Sequence, residues 1–156
     1  MAYEIERKFL LNDMTFADVA TKKLVIKQGY LSVDKDRTVR VRTLDDKGYI
    51  TIKGKSTADG LTRFEWEKEI SLCEAESLLQ LSLPGEIIKT RYLVPFGRHT
   101  WEIDVFSGVN NGLVMAEVEL STESEEFAMP GFIGKEVTGD SRYYNSYLMQ
   151  HPFTTW

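Results

Sequence analysis

The chain alternates apolar and charged residues over most of its length, beginning near its N-terminus. In the first segment, the even positions are Glu4, Glu6 and Lys8, whereas the odd positions are Tyr3, Ile5, Arg7 and Phe9 and include the apolar residues. Successive side chains of a β-strand point to opposite faces of the sheet, so this segment predicts a strand with one charged and one apolar face. A charged face usually turns to solvent. Whether this charged face turns to solvent here depends on whether the other strands repeat the pattern.

Six further segments repeat this segregation, and most of them carry charges of one sign. The charged sets are Arg40 with Arg42, Lys53 with Lys55, Glu65 with Glu67 and Glu69, Lys89 with Arg91, Glu102 with Asp104, and Glu117 with Glu119. A solvated face would instead carry scattered Ser, Thr, Gln and Lys. The pattern therefore favours a sheet that turns its apolar face outward and encloses a channel lined by charges of both signs.

Turn signals divide the chain into about eight strands and a few helices. The predicted strands are residues 3–11, 24–33, 37–44, 49–55, 62–72, 87–95, 100–106 and 113–121, and helical spacing marks residues 15–23, 74–83, 133–138 and 141–149. Many short strands with few helices predict a mainly β, α+β fold, either an antiparallel barrel or a sandwich. No linker interrupts the chain, so residues 1–156 are expected to form one domain.

Composition excludes several classes of function. One cysteine and two histidines are too few for an internal disulfide, a zinc site or a histidine-centred triad. A metal here should therefore be a hard, oxygen-ligated cation such as magnesium, manganese or calcium. No apolar run approaches the length of a membrane helix, and the formal charge of −5 argues against a broad nucleic-acid surface. We expect a cytoplasmic protein with neither membrane nor nucleic acid as a partner.

The charged channel suits one kind of ligand in particular. Arginine and lysine from several strands offer many donors to a polyanion, and arginine grips phosphate oxygens bidentately. Carboxylates without histidine suit magnesium or manganese, and such an ion relieves the repulsion between neighbouring glutamates. A phosphate chain bound together with a divalent metal therefore fits this residue inventory.

An ordered set of motifs resembles the CYTH family, also called triphosphate tunnel metalloenzymes. The motifs are Glu4-Glu6-Lys8, Gln28-Gly29-Tyr30-Leu31, Val39 to Arg42, Thr51 to Gly54, the glutamate-rich strand ending at Ile70, Lys89 to Tyr92, Trp101 to Phe106, Ala116 to Leu120, and Glu136 to Asn145. The resemblance implies an eight-stranded antiparallel closed barrel forming a tunnel, with a few flanking helices, that binds triphosphate and Mg²⁺ or Mn²⁺. Among family members the chain is most similar to inorganic triphosphatases.

The resemblance also assigns roles to individual residues. The residues that look like metal ligands are Glu4, Glu6, Glu67, Glu69, Asp104, Glu117 and Glu119. Those that look like phosphate-binding residues are Lys8, Arg40, Arg42, Lys53, Lys89, Arg91, Lys135 and Arg142. Lys8 and Tyr30 fit a pair proposed to activate the attacking water, because a nearby lysine favours the phenolate form of tyrosine. The alternative for Tyr30 is a wall residue that only orients phosphate.

Three functions remain open from the sequence. The leading hypothesis is hydrolysis of inorganic tripolyphosphate, with nucleoside triphosphates as weaker substrates. The second is a class IV adenylyl cyclase that makes cyclic AMP from ATP, although no adenine pocket is evident. The third is a module that binds triphosphate or another polyanion without turnover. A homodimer is a candidate assembly.

Overall fold

A computed structural model describes residues 3–156, and within them nine strands form one sheet. The strands are β1 (Tyr3–Leu11), β2 (Lys22–Ser32), β3 (Arg37–Leu44), β4 (Lys47–Ser56), β5 (Thr62–Ile70), β6 (Ile87–Phe96), β7 (His99–Phe106), β8 (Val114–Glu119) and β9 (Ile133–Glu136). The α-helices are α1 (Leu72–Leu79) and α2 (Asn145–Gln150), with short 3-10 helices at Thr15–Asp18, Gly108–Asn110, Ser141–Tyr143 and Phe153–Thr155. None of the helices in this part of the chain is long and apolar enough to cross a membrane.

Eight of the strands close into a barrel. The strand order is β5-β4-β3-β2-β6-β7-β8-β1, and β5 then pairs with β1 to complete the ring. All of these pairings are antiparallel. The predicted eight-stranded antiparallel closed barrel is therefore confirmed, and β9 lies outside the ring as an additional strand beside β1.

Cross-strand register carries the charged face of each strand into the barrel. Lys8 of β1 lies opposite Glu117 of β8, and Glu117 lies opposite Glu102 of β7. Arg40 of β3 lies opposite Thr51 of β4. Residues that face each other across a ladder share one face of the sheet, so the alternation seen in the sequence becomes a continuous polar lining.

The apolar face of one side of the barrel packs outward against loops and a short helix. Phe9, Trp101, Ile103 and Val118 are buried there together with Phe16 of the first 3-10 helix. Trp101 is fully buried and its ring centroid lies 5.6 Å from that of Phe9. On another side, α1 covers β3 and β4. A capping box joins Ser71 to Glu74 and fixes the start of α1, so the strand predicted to reach residue 72 ends at Ile70.

One end of the barrel is filled by apolar side chains. Ile87, Phe106 and Met115 lie at the ends of their strands and share the inward parity of the charged residues on those strands. Leu148 and Met149 of α2 pack against them in the same cluster. The C-terminal segment therefore closes this end, which we call the closed end.

Two helix predictions that were based on the spacing of apolar residues are wrong. Residues 133–136 are β9, because Ile133 and Glu136 pair with the part of β1 around Phe9 and Leu11. Tertiary pairing of the backbone overrides the helical spacing of apolar residues there. In residues 15–23, only Thr15–Asp18 is helical, as a 3-10 turn, and Lys22 already pairs with β6.

Candidate active site

A cavity of about 290 Å³ lies inside the barrel, and all eight strands of the ring contribute to its wall. Seven cationic side chains line it: Lys8, Arg40, Arg42, Lys53, Arg63, Lys89 and Arg91. Seven carboxylates line it as well: Glu4, Glu6, Glu65, Glu67, Glu102, Glu117 and Glu119. The two signs balance formally, so the charged groups can neutralise one another within the fold.

The structure brings most of the residues assigned from the sequence into this cavity. Those in its wall are Glu4, Glu6, Lys8, Tyr30, Arg40, Arg42, Lys53, Glu67, Lys89, Arg91, Glu117 and Glu119.

Four assigned residues lie elsewhere. Asp104 is buried and is not one of the residues that line the cavity. The Glu69 side chain is 58% exposed near Lys47, and that of Arg142 is 55% exposed and paired with Asp140. Lys135 is exposed on β9, which lies outside the barrel ring.

Asp104 neutralises the two basic residues of β6. Arg91 donates to it from Nε at 2.8 Å and from Nη2 at 2.9 Å, and Lys89 Nζ lies 2.8 Å from Oδ2. Burial opposes the ionised carboxylate, but Arg91 and Lys89 outweigh burial and hold the pKa of Asp104 below its ordinary value. Burial lowers the pKa of Lys89 to about 8 even though Asp104 attracts its proton.

A second cluster joins carboxylates of β1 and β8 to Lys53 and Lys8. Lys53 Nζ lies 3.0 Å from Glu4 Oε2, and Lys8 Nζ lies 3.6 Å from Glu117 Oε1. Burial and the charge of Glu117 raise the pKa of Glu6 well above its ordinary value, and its carboxyl shares a hydrogen bond with Glu4. Burial also opposes ionisation of Glu4, but the bond from Glu6 and the charge of Lys53 lower its pKa to about 2. Of these two carboxyl groups, Glu6 therefore favours the protonated form and Glu4 the ionised form.

The donor chemistry of this cluster suits a hard divalent cation. Glu6 lies opposite Glu119 in the β1–β8 ladder, and Glu4 lies one alternation before Glu6 on the same face of β1. A carboxyl that keeps its proton because of neighbouring negative charge is stabilised by a metal ion in place of that proton. Within residues 3–156, no three carboxylate, histidine or cysteine side chains already converge as metal ligands. Glu4, Glu6, Glu117 and Glu119 nevertheless lie together in the cavity wall.

The C-terminal segment supplies cavity residues that the sequence did not reveal. Tyr144, Asn145 and Ser146 line the wall, and the sequence assigned none of them a role. Lys8 Nζ lies 5.1 Å from the centroid of the Tyr144 ring, and Lys89 Nζ donates to Asn145 Oδ1 at 3.2 Å. These contacts join residues far apart in the chain, so no local pattern signals them.

Burial and neighbouring charges also have opposite effects on the pKa of Lys8. Burial disfavours its ammonium form, but the carboxylates of Glu117 and Glu6 outweigh burial and raise the pKa of Lys8. Lys8 therefore remains a cation at neutral pH. Its nearest aromatic contact is Tyr144, and Tyr30 lines the same cavity from β2.

Comparison with known proteins identifies close relatives of the chain. It is 46% identical to an inorganic triphosphatase of Acetivibrio thermocellus, over 98% of this chain and 97% of the relative. It is 36% identical to an inorganic triphosphatase of Nitrosomonas europaea, over 93% of this chain and 95% of that relative. Among solved structures, the inorganic triphosphatase NE1496 superposes with a TM-score of 0.67 at 31% identity, covering 96% of this chain and 95% of that one.

The fold recurs among more distant proteins. A structure described as a putative adenylyl cyclase from Hippeastrum superposes with a TM-score of 0.56 at 14% identity, covering 76% of this chain and 80% of that one, and so shares the fold alone. The sequence pattern of the CYTH domain matches residues 2–144. With nearly the whole chain matched in sequence and in fold, this protein belongs to the CYTH domain family.

Proposed function

We propose that this protein hydrolyses inorganic triphosphate to pyrophosphate and orthophosphate inside the barrel cavity. The observation that carries the proposal is the convergence of seven cationic side chains with a carboxylate cluster in one cavity. The relatives named inorganic triphosphatase support the choice of reaction. Nucleoside triphosphates are expected to be weaker substrates, because among the described residues the lining is mostly charged or polar and includes two aromatic side chains, Tyr30 and Tyr144.

Arginine and lysine side chains hold the phosphate chain in this proposal. Arg40 Nε and Arg42 Nε are buried and have no acceptor among the described residues. A buried donor without an acceptor is costly, and a phosphate oxygen would satisfy it with a charge-assisted hydrogen bond. Lys53, Lys89 and Arg91 complete the set around the chain. Lys135 and Arg142 lie outside the cavity, so we do not include them.

Membership of the family implies a metal cofactor, and we propose that it is Mg²⁺ or Mn²⁺. Glu4, Glu6, Glu117 and Glu119 are the residues that would hold it, with Glu67 nearby in the cavity wall. When bound, such an ion would supply positive charge that neutralises the negative charge developing on the phosphate oxygens. Asp104 is occupied by Lys89 and Arg91, so it orients these cations instead of binding the metal.

Lys8 and a tyrosine act on the attacking water in this proposal. The water oxygen forms a bond to a terminal phosphorus, and the bond from that phosphorus to the bridging oxygen breaks, so that the electron pair leaves with pyrophosphate. A tyrosine beside Lys8 acts as the general base in this proposal and accepts the proton of the water as the new bond to phosphorus forms. Tyr30 is the residue assigned from the sequence, and Tyr144 is the tyrosine that Lys8 contacts.

A product assay with both metals tests the proposal. Purified protein is incubated with inorganic triphosphate or with ATP, in Mg²⁺, in Mn²⁺ or in excess chelator, and the products are separated by ion chromatography. Equal amounts of orthophosphate and pyrophosphate from triphosphate, dependent on metal, are expected. Cyclic AMP from ATP would instead show an adenylyl cyclase. Tight binding of triphosphate without products would show a non-catalytic polyanion-binding protein.

A further inference from the structure

Gln28 is a buried polar residue inside the barrel to which neither the charge pattern nor the proposed function assigns a role. It lies on β2 two residues before Tyr30, which lines the cavity, and it therefore points to the same inward face. It is 0% exposed, and its amide oxygen and nitrogen are both buried without a hydrogen-bond partner among residues 3–156. Burial of an amide is unfavourable unless a partner compensates it, so a contact for Gln28 is expected inside the barrel.

The outer face of β2 holds Gln28 in this position. The next residue, Gly29, faces outward, where a Cβ built on it would lie 2.4 Å from Oγ of Ser82. The backbone N–H of Leu83 donates to the carbonyl oxygen of Tyr30 at 2.8 Å. Because the segment after α1 lies directly against this part of β2, the strand has no room to move outward and the amide of Gln28 stays inside the barrel.

Arg42 is the polar residue that the sheet register places opposite Gln28. Gln28 pairs with Arg42 of β3 on one side and with Ile87 of β6 on the other. Side chains directly opposite each other in an antiparallel pair have Cβ atoms about 4.5–5.5 Å apart, which is within reach of two long side chains. Ile87 offers no hydrogen bond, so Arg42 is the partner that the two neighbouring strands provide.

Arg42 has a donor that matches the unpaired oxygen of Gln28. Its Nη2 donates to Glu67 Oε1 at 2.9 Å, whereas its Nε is buried and has no acceptor in the described part of the chain. Burial and the charges of Arg40 and Arg91 lower the pKa of Arg42, so a further acceptor would stabilise its cationic form. An amide oxygen is such an acceptor, and because it is neutral it leaves the charge of the guanidinium uncancelled.

We propose that Gln28 is a positioning residue for Arg42, whose Nε donates a hydrogen bond to the amide oxygen of Gln28, directly or through one internal water. Glu67 then holds one side of the guanidinium and Gln28 another, so the remaining donors of Arg42 keep one orientation. A phosphate chain binds a fixed guanidinium with a smaller loss of side-chain freedom than a mobile one. The effect on triphosphate binding rests on the proposed function, whereas the hydrogen bond itself does not.

Nitrogen-15 NMR of the arginine Nε–H groups tests the hydrogen bond in the absence of substrate. In the natural chain, the Arg42 Nε–H, assigned by the loss of its signal in Arg42→Lys, should exchange with water about tenfold or more slowly than that of Arg98, which lies in an exposed turn. Equal exchange of Arg42 and Arg98 would overturn the proposal without the need for any variant at Gln28.

Gln28→Met replaces the amide by an apolar side chain of similar length and should remove most of the protection of the Arg42 Nε–H. Gln80→Met is the matched control, since Gln80 is exposed at the end of α1 and its replacement should leave the exchange unchanged. Unchanged exchange of Arg42 in Gln28→Met would overturn the proposal. Loss of protection at Arg40 in place of Arg42 would also overturn it.

Calorimetric titration with inorganic triphosphate in excess chelator tests whether Gln28 acts through Arg42. Gln28→Met should raise the Kd about threefold to tenfold, since one hydrogen bond is lost. In the Arg42→Gln background it should have no further effect, whereas in the background of Arg98→Gln, which removes a charge from an exposed turn, it should keep its full effect.

Two results of this titration separate the positioning role from the proposed function. Additive effects of Gln28→Met and Arg42→Gln would overturn the positioning role, because Gln28 would then act on the fold as a whole. If the natural chain does not bind triphosphate while Gln28→Met still removes the protection of Arg42, the proposed function fails and the contact between Gln28 and Arg42 stands.

Discussion

Asp104 is the residue whose surroundings best explain how such a charged cavity can fold. It is 2% exposed, and three charge-assisted contacts join it to Arg91 and Lys89. A buried charge is tolerated only when it is paired and hydrogen-bonded. Asp104 therefore stabilises two cations of the cavity wall in place, and their other donors bind Glu102 and Asn145.

Replacement of Asp104 by Asn should destabilise the protein strongly. The amide keeps the size of the side chain but removes the charge that compensates Lys89 and Arg91, and breaking a buried pair in this way costs about 3–5 kcal/mol. The free energy of unfolding in urea measures this loss. Asp46→Asn, at an exposed turn, is the control and should change little. Equal stability of Asp104→Asn and the natural chain would contradict this account of the buried pairing of Asp104 with Lys89 and Arg91.

Strand parity predicted much of the cavity wall, and strand register decided the rest. Glu4, Glu6 and Lys8 face inward as their alternation indicated. Lys55 shares the parity of Lys53 in the sequence, but a register shift between Lys53 and Ser56 leaves it exposed. Likewise, the depth of a residue along the barrel depends on how far the strands are staggered. No local sequence pattern encodes that stagger. Strand parity therefore could not distinguish Glu69 and Asp104 from the residues that line the cavity.

At the scale of elements, β9 is held to β1 by an ion pair on the outside of the barrel. Arg7 donates to Glu136 from Nε at 2.8 Å and from Nη2 at 2.6 Å. The ladder between β9 and β1 is short and its register shifts between Phe9 and Leu11. The ion pair between Arg7 and Glu136 therefore helps to hold β9 against β1, where few backbone hydrogen bonds do so.

The ion pair between Arg7 and Glu136 depends on pH because the Glu136 carboxyl must be ionised. The hydrogen bond from Arg7 lowers the pKa of Glu136 below its ordinary value of 4.5, against a smaller opposing effect of burial. A lowered pKa means that the stabilisation is complete above the unfolded value and is lost as the pH falls through the folded value. Glu136→Gln should thus lower the melting temperature at pH 7, with a loss of about 1 kcal/mol or less at this partly exposed site.

Thermal unfolding of both proteins between pH 7 and pH 3 measures the effect. The difference in melting temperature should stay constant down to about pH 5 and shrink below the unfolded pKa of Glu136. Glu126→Gln changes a glutamate for which no ion pair is found in the described part of the chain, and it serves as the control. A difference that grows as the pH falls would contradict the assignment.

At the scale of the whole molecule, closure of the ring ties the start of the chain to its middle. Pairing of β1 with β5 joins Tyr3 to Phe64, and pairing of β1 with β8 joins Lys8 to Glu117. The C-terminal helix α2 then packs into the closed end. Since every part of the barrel depends on contacts between distant segments, we expect it to unfold as one cooperative domain.

Urea unfolding followed by two probes tests this expectation. Far-ultraviolet circular dichroism reports the strands, and tryptophan fluorescence reports mainly the fully buried Trp101 if Trp66 and Trp156 are replaced by Phe. The two transitions should coincide, as they do for a two-state domain. Separate midpoints would show that the chain does not fold as the single domain expected from its sequence.

The central claim is that the cationic cavity binds and hydrolyses triphosphate, and Arg40 tests it most directly. Arg40 lines the cavity and donates to Thr51 Oγ1 at 3.2 Å, but it has no ion pair with a carboxylate among residues 3–156. Its replacement by Gln therefore leaves no carboxylate unpaired, and the fold should keep its stability.

The measurement is the rate of orthophosphate release from inorganic triphosphate in Mn²⁺ or Mg²⁺, with the melting temperature recorded for each variant. Arg40→Gln should lower kcat/KM about 100-fold or more, since it removes an electrostatic contact to the reacting phosphates. Arg98→Gln should retain the natural rate. A rate within twofold of the natural chain in Arg40→Gln, at unchanged melting temperature, would contradict the claim.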